Sequence, residues 1–209
     1  MNRFTGLKTT SPAPTRNWRT FSPLLLLALS WAALDQVFKL YTLANVPAYP
    51  ERLEVLPGVL AFAYVENRGA AWGIFDGGIL PLTFLRAAVG IMILAFLWRH
   101  PSLSRLCTVA LALIAGGALG NAYDGLARGF VVDTLLSHTL SALYRPLFGT
   151  DFPIFNLADV GVVTGTVLLF LGNLFLPSAG YRGNSPTDAN ISATDRKNDL
   201  GGKELSDKR

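Results

Sequence analysis

The sequence predicts an all-α membrane protein with four transmembrane helices and both termini in the cytoplasm. Of the 209 residues, 51% are hydrophobic and only 15% are charged, whereas soluble domains carry about 25% charged residues. The apolar residues gather in runs of about 20, the length that crosses the hydrocarbon core of a bilayer. Lys and Arg lie mainly beside these runs on one predicted side, which sets the orientation of the helices.

The first span follows a polar N-terminal segment. Residues 1–20 are rich in Thr, Pro and Arg, have no apolar period, and predict a flexible cytoplasmic arm. Residues 21–43 have a basic flank and a Leu-rich centre, which also fit a cleavable signal peptide with Ala32 and Ala33 near the cleavage site. Because the helical pattern continues well beyond that pair, an uncleaved span is the preferred interpretation.

Residues 44–78 interrupt the helical pattern. Pro47, Pro50 and the pair Pro57-Gly58 punctuate the segment, and residues 59–65 (VLAFAYV) are short, aromatic and β-branched, which predicts a strand. Irregular backbone cannot face lipid, because its polar groups would find no partners there. We therefore expect this segment to lie outside the bilayer or to pack on protein.

Three further apolar runs supply the second, third and fourth spans, at about residues 79–98, 106–123 and 156–176. In the third run, Gly116 and Gly120 form a small-xxx-small pattern that favours close helix packing. Residues 124–155 are predicted to form a second outer loop. Residues 177–209 are polar with mixed charges and predict a disordered cytoplasmic tail.

Lys and Arg are denser on the predicted cytoplasmic side. The arm supplies Arg16 and Arg19, the short loop after the second span supplies Arg99 and Arg105, and the tail begins with Arg182. Membrane orientation thus accounts for the net charge of +4, and the scattered cations form no patch suited to nucleic acid. The two long loops are expected to face outward.

Acids and amides gather at the outer ends of the predicted spans; with one lysine they are Asp35, Lys39, Asn67, Asn121, Asp124, Asp133, Asn156 and Asp159. Carboxylates near a membrane boundary are costly, so they indicate a function or a partner. Two carboxylates held close together share a proton, because ionisation of one raises the pKa of the other. The ionised member can activate a water while the protonated member polarises a carbonyl, as in aspartic proteases, with no metal or cofactor.

Simpler roles stay open for each acid at this point. Asp35 can pair with Lys39 one turn later, Asp124 can terminate the third helix, and Asp159 can be a first-turn acid stabilised by the helix dipole. Asp133 can be an ordinary loop acid, although its neighbours are apolar and an acid there needs a partner.

Other functional classes fit less well. There is no His-Glu-x-x-His motif or Gly-x-Ser-x-Gly elbow, and the two histidines are predicted on opposite sides of the membrane, so no metal site or serine nucleophile is expected. A proton-coupled transporter would place acids at several depths, including mid-span. A purely structural subunit would not need so many acids and amides on one side.

Five segments resemble the lipoprotein signal peptidases, or type II signal peptidases, over residues 21–176. They are Asp35 and Gln36 with Lys39, residues 67–71 (NRGAA), 116–121 (GGALGN), 129–133 (GFVVD) and 152–159 (FPIFNLAD). The resemblance implies four transmembrane helices with a small extracytoplasmic β-cradle. It also implies an aspartic endopeptidase of the bacterial plasma (inner) membrane, with its active site at the extracytoplasmic face.

The implied reaction cleaves a prolipoprotein on the amino side of its diacylglyceryl-modified cysteine. The resemblance makes Asp133 and Asp159 catalytic; the supporting or substrate-binding positions are Asp35, Lys39, Asn67, Gly69, Asn121, Asp124, Arg128 and Asn156. Membrane lipid is an expected partner, globomycin an expected inhibitor, and a monomer the expected state.

Two departures from the family pattern are visible. Gly125 follows Asp124 where the family usually has Arg, and Arg128 is a candidate to replace that cation. The segment between Asp133 and Asp159 is longer than usual, which leaves open altered substrate handling or a divergent paralogue of reduced activity.

Overall fold

The computed structural model describes residues 18–69 and 79–175. Within them, three helices have the length and apolarity of membrane spans: α1 (Trp18–Asn45), α2 (Ile79–Arg99) and α3 (Arg105–Ala127). They correspond to the first three predicted spans. The fourth predicted span corresponds to α5 (Leu157–Phe175), an apolar helix whose stretch Leu157–Gly172 is shorter than the other three. The structure thus supports a mostly helical membrane fold with three spans of full length.

Two predicted boundaries need correction. Helix α1 begins at Trp18, so the last residues of the predicted arm are helical; the rest of the arm and the predicted tail lie outside the described residues. Helix α3 continues to Ala127, because the Arg128 N–H donates to the Asp124 carbonyl at 2.8 Å and extends the last turn. Asp124 therefore lies inside α3 and does not terminate it.

The predicted second outer loop, residues 124–155, also contains regular structure. It holds strand β3 (Val131–Ser137) and helix α4 (His138–Phe148). The Ser137 side chain caps α4 by accepting the Leu140 N–H at 3.2 Å, and Gly149 ends it in the left-handed conformation with φ of 74°. Helix α4 has only 11 residues and contains Pro146, which usually interrupts a helix, so the segment was predicted to be loop.

A three-stranded antiparallel sheet packs at one end of the helices, in the order β1-β2-β3. Strands β1 (Arg52–Leu56) and β2 (Leu60–Asn67) form a hairpin, and β3 pairs with β2. Strand β2 confirms the strand predicted near residues 59–65. Phe62 of β2 lies 5.4 Å from the ring of Tyr41 in α1, so the sheet rests on the end of that helix.

Helix α3 is the centre of the helical packing. A Cβ at Gly116 would lie 2.6 Å from the Ala28 carbonyl oxygen of α1, and one at Gly117 would lie 2.2 Å from the Ala158 carbonyl oxygen of α5. Such contacts exist only where both helices present backbone to each other. The close approach predicted from the glycine pattern is therefore confirmed, and it brings α1, α3 and α5 together near their polar residues.

Candidate active site

Asp133 is a buried acid held by two asparagines. It lies in β3, is 4% exposed, and accepts hydrogen bonds from Asn67 Nδ2 at 3.0 Å and Asn156 Nδ2 at 2.8 Å. Asn67 is oriented by its own side-chain oxygen, which accepts the N–H of Gly69 at 2.9 Å. Gly69 has φ of 81°, a conformation that favours glycine. The partners expected for this buried acid are thus the side-chain amides of Asn67 and Asn156.

Asp159 lies in the first turn of α5, as the dipole interpretation expected. It forms a reciprocal cap with Asn156: Asn156 Oδ1 accepts the Asp159 N–H at 3.0 Å, and Asp159 Oδ2 accepts the Asn156 N–H at 3.3 Å. Asp159 Oδ1 also accepts from Asn121 Nδ2 at 2.8 Å. Asp159 therefore caps α5 and also belongs to the polar site.

Asn156 joins the two acids, since its side chain bonds Asp133 on one side and the Asp159 backbone on the other. Burial and the negative charge of Asp159 raise the pKa of Asp133 to about 6, although the two asparagine hydrogen bonds lower it. No cation contacts either carboxylate directly among the described residues. The pair can therefore hold one proton between two acids.

A second group of charges, here called the charged cluster, lies next to this pair and consists of Asp35, Lys39, Asp124 and Arg128. Lys39 Nζ lies 2.7 Å from Asp35 Oδ2 and 2.8 Å from Asp124 Oδ2, and all three side chains are fully buried. Arg128 Nη1 pairs with Asp124 Oδ1. The predicted Asp35–Lys39 pair is confirmed, and two acids balance two bases in the cluster.

The charged cluster holds the backbone beside each acid of the pair. Asp35 Oδ1 accepts the Ala158 N–H at 2.8 Å, directly before Asp159. Asp124 Oδ2 accepts the Val132 N–H at 3.1 Å, directly before Asp133. Lys39 also donates to Asn121 Oδ1 at 2.8 Å, which leaves the Asn121 amino group for Asp159.

The structure accounts for glycine at position 125. A Cβ there would lie 1.9 Å from Thr83 Oγ1, so α2 leaves no room for a side chain. Arg128, one turn later on α3, contacts Asp124 and donates to Gln36 Oε1 at 2.9 Å. The contact expected of Arg128 is therefore present.

Two further polar residues, Gln36 and Arg86, were not among the predicted site residues. Gln36 Nε2 donates to Asp124 Oδ1 at 3.0 Å, and its signal was its place beside Asp35 in an apolar run. Arg86 lies inside α2, with its Nη1 buried and without a hydrogen-bond partner in the part of the chain that the structure describes. In residues 18–69 and 79–175, no three His, Cys, Asp or Glu side chains converge as metal ligands would.

Comparison with known proteins gives a consistent result. The family model for signal peptidase (SPase) II matches residues 27–175. The lipoprotein signal peptidase of Deinococcus radiodurans is 44% identical over 162 residues, covering 78% of this chain and 83% of the relative. That of Clostridium novyi is 33% identical over 145 residues, covering 69% of this chain and 93% of the relative.

A solved structure of a bacterial membrane enzyme, determined by the in meso method at 2.3 Å resolution, is also similar. It matches with a TM-score of 0.60 and 29% identity, covering 78% of this chain and 94% of its own. Because the family model spans most of the chain and curated relatives align over more than two thirds of it, the chain belongs to the signal peptidase II family and is a membrane-embedded protease.

Proposed function

We propose that this protein removes signal peptides from prolipoproteins, cutting on the amino side of the diacylglyceryl-modified cysteine, with Asp133 and Asp159 as its catalytic pair. The observation that carries the assignment is the shared contact with Asn156, which holds one carboxylate from β3 and one from α5 at the same site. Family membership supports the reaction.

The chemistry follows from the shared proton. The ionised carboxylate takes a proton from a water, whose oxygen attacks the scissile carbonyl carbon, while the protonated carboxyl donates to the carbonyl oxygen. The tetrahedral intermediate then collapses: the C–N bond breaks, the amine nitrogen takes a proton, and the pair regains its starting protonation. The raised pKa of Asp133 favours the proton on that residue. Asn67, Asn121 and Asn156 orient the pair.

The proposed setting is the bacterial plasma (inner) membrane. In this proposal α5 is the fourth span, both termini are cytoplasmic, and the sheet with the catalytic pair faces the extracytoplasmic side. The bias of Lys and Arg toward the predicted cytoplasmic side supports this orientation. The substrate stays anchored in lipid, so a site at the boundary meets both the scissile bond and outside water. The protein acts as a monomer and binds globomycin as an inhibitor.

The test uses purified protein in lipid vesicles, a prolipoprotein with or without the diacylglyceryl group, and gel shift as the readout. Asp133→Asn and Asp159→Asn are each expected to slow cleavage by about 10²–10⁴-fold, because each removes one proton-transfer group. Asp151→Asn is the matched control, since Asp151 is an exposed acid paired with Arg145.

Wild type and control should cut the modified substrate, stop when globomycin is added, and leave the unmodified substrate intact. Failure of the wild-type protein to cut a substrate that a reference enzyme processes would contradict the proposed function. Full activity of either Asn variant would contradict the assignment of the pair alone.

A further inference from the structure

Helix α4 presents its polar side to the rest of the protein. His138, Ser141 and Arg145 follow the spacing of one helical stripe. His138 Nε2 lies 3.1 Å from Glu54 Oε1 of β1, Ser141 Oγ accepts the Phe152 N–H at 3.2 Å, and Arg145 pairs with Asp151. The contacts of His138 and Ser141 define the inward side of α4, whereas the Arg145–Asp151 pair is exposed.

The opposite side of α4 is a leucine stripe. Leu140, Leu143 and Leu147 repeat the same spacing and are 37%, 67% and 78% exposed. A surface helix in water usually turns its apolar stripe toward the core, whereas these leucines face away from it. The exposed side of α4 is therefore suited to apolar surroundings.

The surface around α4 continues this apolar character toward the membrane-embedded helices. The His138 N–H donates to the Val59 carbonyl oxygen at 3.0 Å, which ties α4 to the tip of the β1–β2 hairpin. Leu56 and Val59 at that tip are 55% and 48% exposed. The same sheet rests on the end of α1 through Phe62, so its exposed edge lies near one end of a membrane span.

We propose that α4 lies in the lipid–water interface of the membrane, with the leucine stripe among the acyl chains. Its 11 residues make a helix of about 16 Å, too short to cross a bilayer but suited to lying along its surface. The leucine stripe carries no charge, and Arg145 pairs with Asp151 on the other side of the helix.

The placement has a consequence that rests on the proposed function. Strand β3 ends at Ser137 and α4 begins at His138, so no linker separates the leucine stripe from the strand that carries Asp133. The depth of α4 then sets the depth of Asp133, and with it the position along a lipid-anchored substrate that the pair can reach.

The test follows a fluorophore on the stripe and does not depend on cleavage. Cys107 is the single cysteine, so a Cys107→Ala background accepts one new cysteine for an environment-sensitive NBD label. Leu147→Cys places the label on the leucine stripe at a highly exposed position that folding does not need. Ala142→Cys is the matched control, exposed on the same helix but on a different side.

The labelled proteins are reconstituted in phosphatidylethanolamine–phosphatidylglycerol vesicles with or without brominated acyl chains. The label at 147 is expected to emit at shorter wavelength than the label at 142, to be quenched by brominated lipid and to be protected from aqueous iodide. Quenching by iodide alone would overturn the proposal. Protection from both quenchers would overturn it too, because the stripe would then be covered by protein.

Discussion

Two pairs of aspartates lie side by side in this protein, and their neighbours differ. Asp35 and Asp124 in the charged cluster share Lys39, and Arg128 gives the cluster a second cation. Asp133 and Asp159 accept hydrogen bonds from amide groups, and the negative charge of Asp159 helps to raise the pKa of Asp133. The first pair is fully buried and is paired with two cations, whereas no cation among the described residues contacts the second pair.

This difference distinguishes the acids that hold the backbone in place from the acids that are proposed to carry out the reaction. A carboxylate paired with a cation can serve as a fixed acceptor, here for the Ala158 and Val132 N–H groups. A carboxylate matched only with amides and a second acid keeps a proton within reach of neutral pH. Residue type alone does not distinguish the pairs, whereas the presence of a cation does.

Of the substitutions considered, loss of Lys39 is expected to lower the stability of the protein the most. Lys39→Met is expected to lower the free energy of unfolding by about 3–5 kcal/mol, because two buried carboxylates lose their shared cation. Denaturant titration in detergent micelles measures the change. Adding Asp35→Asn and Asp124→Asn to Lys39→Met should restore much of the stability; an unchanged stability in the single variant would show that the lysine is not needed to balance the acids.

Neutralising Asp133 of the proposed catalytic pair should have the opposite effect on stability. A carboxyl whose pKa is raised from 3.8 to about 6 binds its proton more tightly in the folded state, so the fold loses about 3 kcal/mol as pH rises through this window. Asp133→Asn lacks this loss. Its unfolding free energy relative to wild type should therefore increase by about 3 kcal/mol between about pH 3 and about pH 8.

The matched control for that measurement is Asp151→Asn, which removes an exposed acid. Its stability relative to wild type should change little over the same pH range. A pH-independent difference for Asp133→Asn would mean that Asp133 ionises as an ordinary acid and that the contrast between the two pairs is wrong.

Substitution of Arg128 is expected to change the stability the least. Arg128→Gln is expected to lower the free energy of unfolding by about 2 kcal/mol, since Asp124 loses one charge-assisted hydrogen bond but keeps Lys39 and the Val132 N–H. Arg128→Lys should recover part of the loss by restoring the charge. Equal stability of the Gln and Lys variants would indicate that packing, and not charge, is the contribution of Arg128.

Much of the membrane fold could be predicted because it depends on local composition. The three full-length apolar helices and strand β2 appear near the expected residues, since apolar run length and a short β-branched, aromatic stretch are properties of neighbouring residues. Helix α4 was not predicted, because it is short and contains Pro146, which usually interrupts a helix.

The sequence by itself determined which residues were available for the site, including both acids of the proposed catalytic pair and Lys39. Only the tertiary structure decided how they are divided, because each decisive contact joins distant positions. Gln36 meets Asp124 across 88 residues, and Asn67 meets Asp133 across 66. Whether an aspartate faces Lys39 or Asn156 is set by how α1, α3 and α5 pack through their glycines, which no local pattern records.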